Sequence, residues 1–520
     1  MILIYYNKRN MESPSGSKTI AKNTIFLYLR MMIIMVVTLY TSRVILQVLG
    51  IDDYGLYQTV GGVVGFLAFI SNALAGATSR FITFALGKGD IIELKNTFAV
   101  TLTSHLLIGL LIVMLAETIG VWYVYEKMVI PEGRFGVAFF VYQLSIVTAF
   151  ITIMQVPYHA EVIAHERMSV FAYIGIIEAV SKLGIVYLLS VGDVDKLVLY
   201  AILLFIVHVG IFLFYVFYCR RNFDESGFRL SFDKKLFGQI FGFSGWSLFA
   251  NGAIALSNQG ILLLLNLFFA PAVVTARSVS LQVNSVASQF VQNFRTAANP
   301  QIVKRYAAGD LAGSKNLLLE STKFSYYLML VIALPILLIA DPLLHLWLVE
   351  VPEYTVAFLQ IVVVQSLFQV FDTSFFTALY AKGRIRENAL ISPLVIFLCF
   401  PIVYMLFKAG YSPIALSWAY LVGYVVLGMI IKPILLNKIC GYYWKEILGI
   451  YWVCLMVTLV AVPVPLIFYL KIGVSTLAGS FIVLAAAIIS VGMAVWTLGL
   501  TKAMRKRLTD AVRNKISRIG

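Results

Sequence analysis

Arg277 and Arg295 lie in one predicted apolar helix, ~18 residues or five turns apart, so both point from the same face. Asn284 and Ser288 fall within ~20° of that face. The stripe spans ~27 Å, about the thickness of a bilayer's hydrocarbon core. A charge at that depth costs at least ~2.5–3.5 kcal/mol, so such a residue normally faces a wet cavity or a partner inside the helix bundle. A guanidinium stays charged and binds phosphate with two parallel bonds. The chemistry read from this stripe is attraction of an anion along a transmembrane path. Amides crowd the same helix at Gln282, Asn284, Gln289, Gln292 and Asn293. Asn284, Ser288 and Gln292 are the candidates for lining a hydrated path, although amides equally bond membrane helices to each other.

Other charges fall inside apolar runs. Glu178 and Lys182 are one turn apart with the acid first, the favoured order for an ion pair. They serve either as a structural pair or as an ion-coupling site. Asp372 has no local partner in sequence and is the lone candidate for binding Na⁺ or H⁺, or for pairing across helices. His105, His208 and His345 are isolated, while His159 and His165 flank one loop, and none has metal-ligand spacing. Cys219, Cys399, Cys440 and Cys454 form no CxxC pair, so neither a disulfide framework nor a zinc site is expected.

The elements that must carry these residues follow from composition. The 520 residues are 61% hydrophobic and only 12% charged, with a mean hydropathy of +0.91. A soluble domain carries about 25% charge, so the chain reads as a polytopic membrane protein. Its net charge of +15 suits cytoplasmic loops facing anionic headgroups rather than nucleic acid. About fourteen apolar stretches are long enough to span, the second at about 57–84, the eighth at about 272–298 and the twelfth at about 413–436. With the N-terminus inside, about 28 Lys/Arg lie in cytoplasmic segments and about 5 in outer loops, which places both ends in the cytoplasm. Residues 1–22 read as a cytoplasmic segment with no cleaved signal peptide.

The chain repeats itself. Gly89-Asp90 is followed after four residues by Lys95-Asn96, and Gly309-Asp310 likewise by Lys315-Asn316. Ala164-x-x-Arg167 matches Ala381-x-x-Arg384 at nearly the same offset, about six helices on. An even number of spans preserves orientation, so two parallel six-helix bundles are expected. The predicted division is an N-lobe at 23–218, an inter-lobe loop at 219–237, a C-lobe at 238–436, two added helices within 446–500 and a basic tail at 501–520.

Several ordered segments carry a family resemblance. Thr41-Ser42-Arg43-Val44-Ile45-Leu46-Gln47-Val48-Leu49-Gly50 with Asp53-Tyr54-Gly55-Leu56-Tyr57 is the first. Arg80-Phe81-Ile82 with Leu86-Gly87-Lys88-Gly89-Asp90, Asn299-Pro300-Gln301-Ile302-Val303-Lys304 and Leu346-Trp347-Leu348 follow. Together they resemble the polysaccharide transporter family of O-antigen and capsule flippases, within the multidrug/oligosaccharidyl-lipid/polysaccharide (MOP) exporter superfamily. The resemblance implies an all-α, MATE-like architecture of two lobes around a central cavity, opening alternately to either side. It implies a cargo of undecaprenyl-diphosphate-linked oligosaccharide and a place in the bacterial inner membrane. It also implies pathway partners such as a glycan polymerase and glycosyltransferases, beside the membrane lipids.

An unpaired diphosphate cannot cross hydrocarbon unaided. Arg30, Arg43, Arg80, Arg277 and Arg295 form the cationic set that would hold it. Arg30 and Arg43 lie ~220° apart around a straight helix and cannot both face one cavity without a bend. Arg80 serves equally as a positive-inside anchor. No cofactor is expected beyond coupling to an H⁺ or Na⁺ gradient. The alternative is a cation-coupled multidrug extruder of the same superfamily, although intramembrane arginines outnumber acids. Short predicted outer loops, about 5–16 residues, and the lack of a nucleotide-phosphate motif argue against a membrane enzyme.

Overall fold

In hydrocarbon each backbone N–H and C=O must be satisfied within its own segment or in a closed barrel, so a chain this apolar is driven to helices. The computed structural model describes Met32 and residues 35–67, 78–79, 81–86, 88–165, 167–189, 194–227, 229–240, 259–502, 504–506 and 509–510. Every regular element among them is helical. Nine of the described helices are long and apolar enough to cross a membrane, ten if a bent pair counts as one span. The protein is multi-pass. Its four cysteines are free.

The chain divides into two compact units, Met1–Leu248 and Phe249–Gly520. The first contains α1 (Met35–Leu49), α2 (Ile51–Leu67), α3 (Ile91–Glu126), α4 (Phe135–Ala164), α5 (Met168–Leu188) and α6 (Lys196–Asn222). Within it α4 is the hub, packed on α2, α3, α5 and α6. Phe98, Leu102, Tyr158 and Tyr215 belong to its buried core. The second unit contains α7 (Ile261–Phe268), α8 (Pro271–Ala307), α9 (Leu311–Trp347), α10 (Thr355–Ala381), α11 (Ile385–Lys408) and α12 (Ala415–Cys440). Here α10 is the hub, packed on α8, α9, α11 and α12. The two last helices, α13 (Trp444–Ile472) and α14 (Leu477–Gly499), pack on α9.

The repeated sequence signals fold into repeated geometry. Gly89 and Gly309 both take a left-handed φ, +74° and +81°. Such a backbone suits glycine, which has no Cβ to clash. The aspartate after each accepts backbone N–H bonds at the start of the next helix: Asp90 from Ile92 and Glu93, Asp310 from Gly313. These are N-caps, which satisfy donors that a helix start leaves unpaired. In the second pair of loops, the Arg167 N–H donates to the Val162 carbonyl at 3.0 Å and the Arg384 N–H to the Leu379 carbonyl at 2.9 Å. One turn design recurs at both ends of the repeat.

One helix start differs from expectation. Asp52-Asp53 was expected in a loop ahead of a helix starting near residue 57. Instead α2 begins at Ile51 with both aspartates in its first turn, where they complement the positive end of the helix dipole. The 117° bend between α1 and α2 is made at Gly50 alone, at φ +81°. The predicted seventh span, 238–265, and the second, 57–84, fall partly outside the described residues.

One arginine ties three helix starts together. Arg134, the residue before α4, gives its Nε to Asp53 Oδ1 at 3.0 Å and its Nη2 to Asp195 Oδ1 at 3.4 Å, with two further close contacts to the same carboxylates. Asp195 caps α6 as well, accepting from the Leu197 and Val198 N–H groups. The starts of α2, α4 and α6 are thus clamped through one guanidinium.

Candidate functional site

On α8 the spacing of Arg277 and Arg295 holds in a single unbroken helix of 37 residues, and both side chains are buried, at 4% and 6% exposure. Arg277 donates from Nη1 to Ser417 Oγ on α12 at 3.1 Å and lies over the Phe358 ring of α10, 5.6 Å from its centroid. Its Nε has no partner. Among the described residues no carboxylate comes within ion-pair distance of it. Arg295 donates to the Thr373 carbonyl and, at 3.4 Å, to Thr377 Oγ1, both on α10. Thr377 in turn donates to Asn299 Oδ1 at 3.1 Å.

Close to Arg295 is a third buried cation, one that sequence reasoning missed. Lys432 of α12 is 1% exposed, with Nζ 3.1 Å from Asp372 Oδ1 and also bonded to Asn388 Oδ1. Ser392 of α11 reaches Asp372 at 3.5 Å. Asp372, expected either to bind an ion or to pair across helices, is paired across helices here. From the sequence Lys432 lies inside the expected twelfth span, 413–436, and carries no expected role. What turns it inward is a π-helical turn, Leu427–Ile431, immediately before it. One extra residue in a turn re-aims the following side chains by about 100°. Two neighbours hold that turn open. Tyr451 Oη donates to the Gly428 carbonyl at 2.6 Å, and Gly428 packs so close to α10 that a Cβ would meet the Phe368 carbonyl at 2.6 Å. Pro433, which has no N–H, follows where the ladder is already interrupted.

In the first unit, Glu178 and Lys182 of α5 form the expected ion pair at 2.6 Å, about one-third exposed. They line a cavity of about 420 Å³ together with Gln155, His159 and Tyr215. A second cavity of about 290 Å³ shares Thr152 and Val156 with it and reaches Tyr57 and His208. The pair therefore faces a cavity inside the first unit whose walls are mostly apolar. Arg43 is half-buried on α1. Arg30 and Arg80 lie outside the described residues.

The amide candidates separate. Asn284 is buried and accepts from Ser366 Oγ of α10 at 2.8 Å, so it joins two helices. Ser288 is half-buried and Gln292 exposed. The structure brings Arg295, Asp372 and Lys432 into one neighbourhood, with Arg277 farther along the same face of α8. Glu178 and Lys182 belong to the other unit.

Comparisons place this arrangement among known folds. Neither a family model nor a curated protein sequence matches the chain. Solved structures do. The lipid II flippase MurJ, in an inward closed conformation, superposes with a TM-score of 0.68 at 11% identity, covering 90% of this chain and 98% of that one. An inward-facing multidrug resistance MATE transporter of the MOP superfamily gives 0.63 at 12% identity, over 80% and 98%. A MOP superfamily transporter from Pyrococcus furiosus, described as having a binding pocket of reversed polarity, gives 0.54 at 17% identity, over 82% and 95%. The chain has the fold of MOP superfamily transporters.

Proposed function

We propose that this protein is a MOP-type transporter that flips an undecaprenyl-diphosphate-linked oligosaccharide across the bacterial inner membrane by alternating access, for O-antigen, capsule or exopolysaccharide assembly. The observation that carries the reading is Arg277: a buried guanidinium on α8 that, among the described residues, has one hydrogen bond, an unpartnered Nε and no acid within ion-pair distance. A guanidinium has five N–H donors, so most of its capacity is unspent. A buried unpaired cation is costly, and an anionic group relieves that cost. Arg295 and Lys432 add two positive charges against one acid, Asp372, so the α8 face carries an excess of cations. A diphosphate fits that excess, and an organic cation does not. The likeness to a structure described as a lipid II flippase supports the same class of cargo.

The likeness to multidrug transporters supports the second reading, a cation-coupled extruder of the same superfamily. One experiment separates the two. The chain is expressed in a strain lacking its capsule or O-antigen flippase, and surface glycan and efflux of a cationic dye are measured side by side. Restored glycan with unchanged dye retention is the expected result. Arg277→Ala or Arg295→Ala lowers surface glycan at equal protein abundance, and Arg→Lys at either position retains part of it. Dye export without glycan would favour the extruder, and full export in both alanine variants would remove the arginines from the path. For ion coupling we assign Asp372 first and Glu178–Lys182 second. Transport whose gradient dependence survives Asp372→Asn eliminates Asp372 from that role.

A further inference from the structure

The last turn of α4 and the chain just beyond α6 bring together three metal-ligating side chains that transport does not use. Glu161 and His165 are four residues apart, on one face of the helix end. Glu225 follows α6 in a non-helical stretch that still belongs to the first unit. Glu161 is fully buried and Glu225 is 5% exposed. One donor atom from each of the three lies within 4.8 Å of the other two. His165 Nε2 stands 2.6 Å from Glu225 Oε1, and its ring is stacked on Phe223 with centroids 4.0 Å apart. Ser226 Oγ donates to Glu161 Oε2 at 2.5 Å, while Glu161 Oε1 has no partner.

A histidine–carboxylate pair explains only half of this cluster. His165 pairs with Glu225, and the second carboxylate, Glu161, stays buried with an oxygen unsatisfied. Such a group needs a cation or a proton. We infer that Glu161, His165 and Glu225 bind a divalent transition-metal ion, Zn²⁺ or Mn²⁺, which fastens the connection after α6 to the end of α4. An imidazole beside carboxylates suits this class of ion, whereas Mg²⁺ and Ca²⁺ prefer all-oxygen sites. Donors sharing an ion at ~2.0–2.2 Å lie ~3–3.6 Å from each other. The widest separation, no more than 4.8 Å, therefore closes by at most about 1–2 Å and the His165–Glu225 contact opens by about 0.4–1 Å. Ser226 is the outer partner that orients a ligating carboxylate. The second unit has Ala378 and Lys382 where the repeat would place Glu161 and His165, so the site is particular to the first unit.

The test uses the full-length protein purified in detergent, stripped with a chelator and titrated with Zn²⁺ or Mn²⁺ by calorimetry, with electron paramagnetic resonance for Mn²⁺. The wild type takes up one ion per chain and melts at a higher temperature with the ion bound. Glu161→Gln and Glu225→Gln elute as the wild type does on gel filtration but bind at least about tenfold more weakly. Wild-type protein that takes up no stoichiometric ion overturns the inference, as do folded variants that bind as tightly as the wild type. Should either variant fail to fold, the wild-type titration alone decides.

Discussion

Lys432 and Asp372 show how much a single buried charge depends on its partner. Lys432 is sealed from solvent and Asp372 nearly so, and removing one member of such a pair costs ~3–5 kcal/mol because the other is left uncompensated. Asp372→Asn should lower the melting temperature of the purified protein by roughly 3–9 °C. The double variant Asp372→Asn/Lys432→Met should recover much of that loss, since an apolar replacement leaves no stranded charge. A double variant no more stable than the single one would mean that the pair is not the source of the effect. At this scale the sequence was partly legible. The common face of Arg277 and Arg295 follows from helical periodicity alone, and both are indeed buried on one unbroken helix. Lys432 was not legible, because the π-helical turn before it shifts the register and periodicity of 3.6 mis-aims every residue after such a turn. Glu161 and His165 have the spacing of a shared helix face, but nothing local to the sequence reveals that the chain beyond α6 returns Glu225 to them.

Helices in this protein are aimed by contacts at their ends and by their closest crossings. At the crossing of α10 and α12, Gly428 faces a backbone carbonyl that cannot rotate away. Gly428→Ala should therefore cost ~1–3 kcal/mol by overpacking and be read as a lower melting temperature with reduced membrane abundance. Gly449→Ala, on α13 with open space at its Cβ position, is the matched control and should change little. At the helix starts, burial alone would raise the Asp195 pKa, but the bonds from Arg134 and from the Val198 and Leu197 N–H groups outweigh it and hold the carboxyl below its ordinary value of 3.8. A depressed carboxyl pKa contributes stability that is fully present above the unfolded value and is lost as pH falls through the folded one. The melting-temperature gap between wild type and Arg134→Met should thus be largest at pH 7 and shrink at pH 3. A gap independent of pH would show that the clamp does not act through Asp195. The helix boundaries near Asp52-Asp53 were misread for a related reason. Two acids outside an apolar run look like a loop, and only the arginine 81 residues away makes their place in a helix start favourable.

For the whole molecule, the sequence conveyed class and repeat, because hydropathy and the spacing of caps are local properties that survive without tertiary information. The hub role of α4 and α10 required packing to be seen. The orientation read from Lys/Arg bias is directly measurable. Single cysteines at Lys88, Ala308 and Lys382, placed in a variant lacking the native four, should be labelled only from the cytoplasmic side by a membrane-impermeant maleimide. Cysteines at Glu132 and Ser412 should be labelled only from the opposite side. Labelling of Lys88 and Ala308 from different sides would contradict the parallel repeat.

The matched Gly-Asp caps have one more consequence. Each loop carries its own stopping and starting signals, so each following helix start is set locally. Replacing either aspartate with alanine should fray the helix that follows.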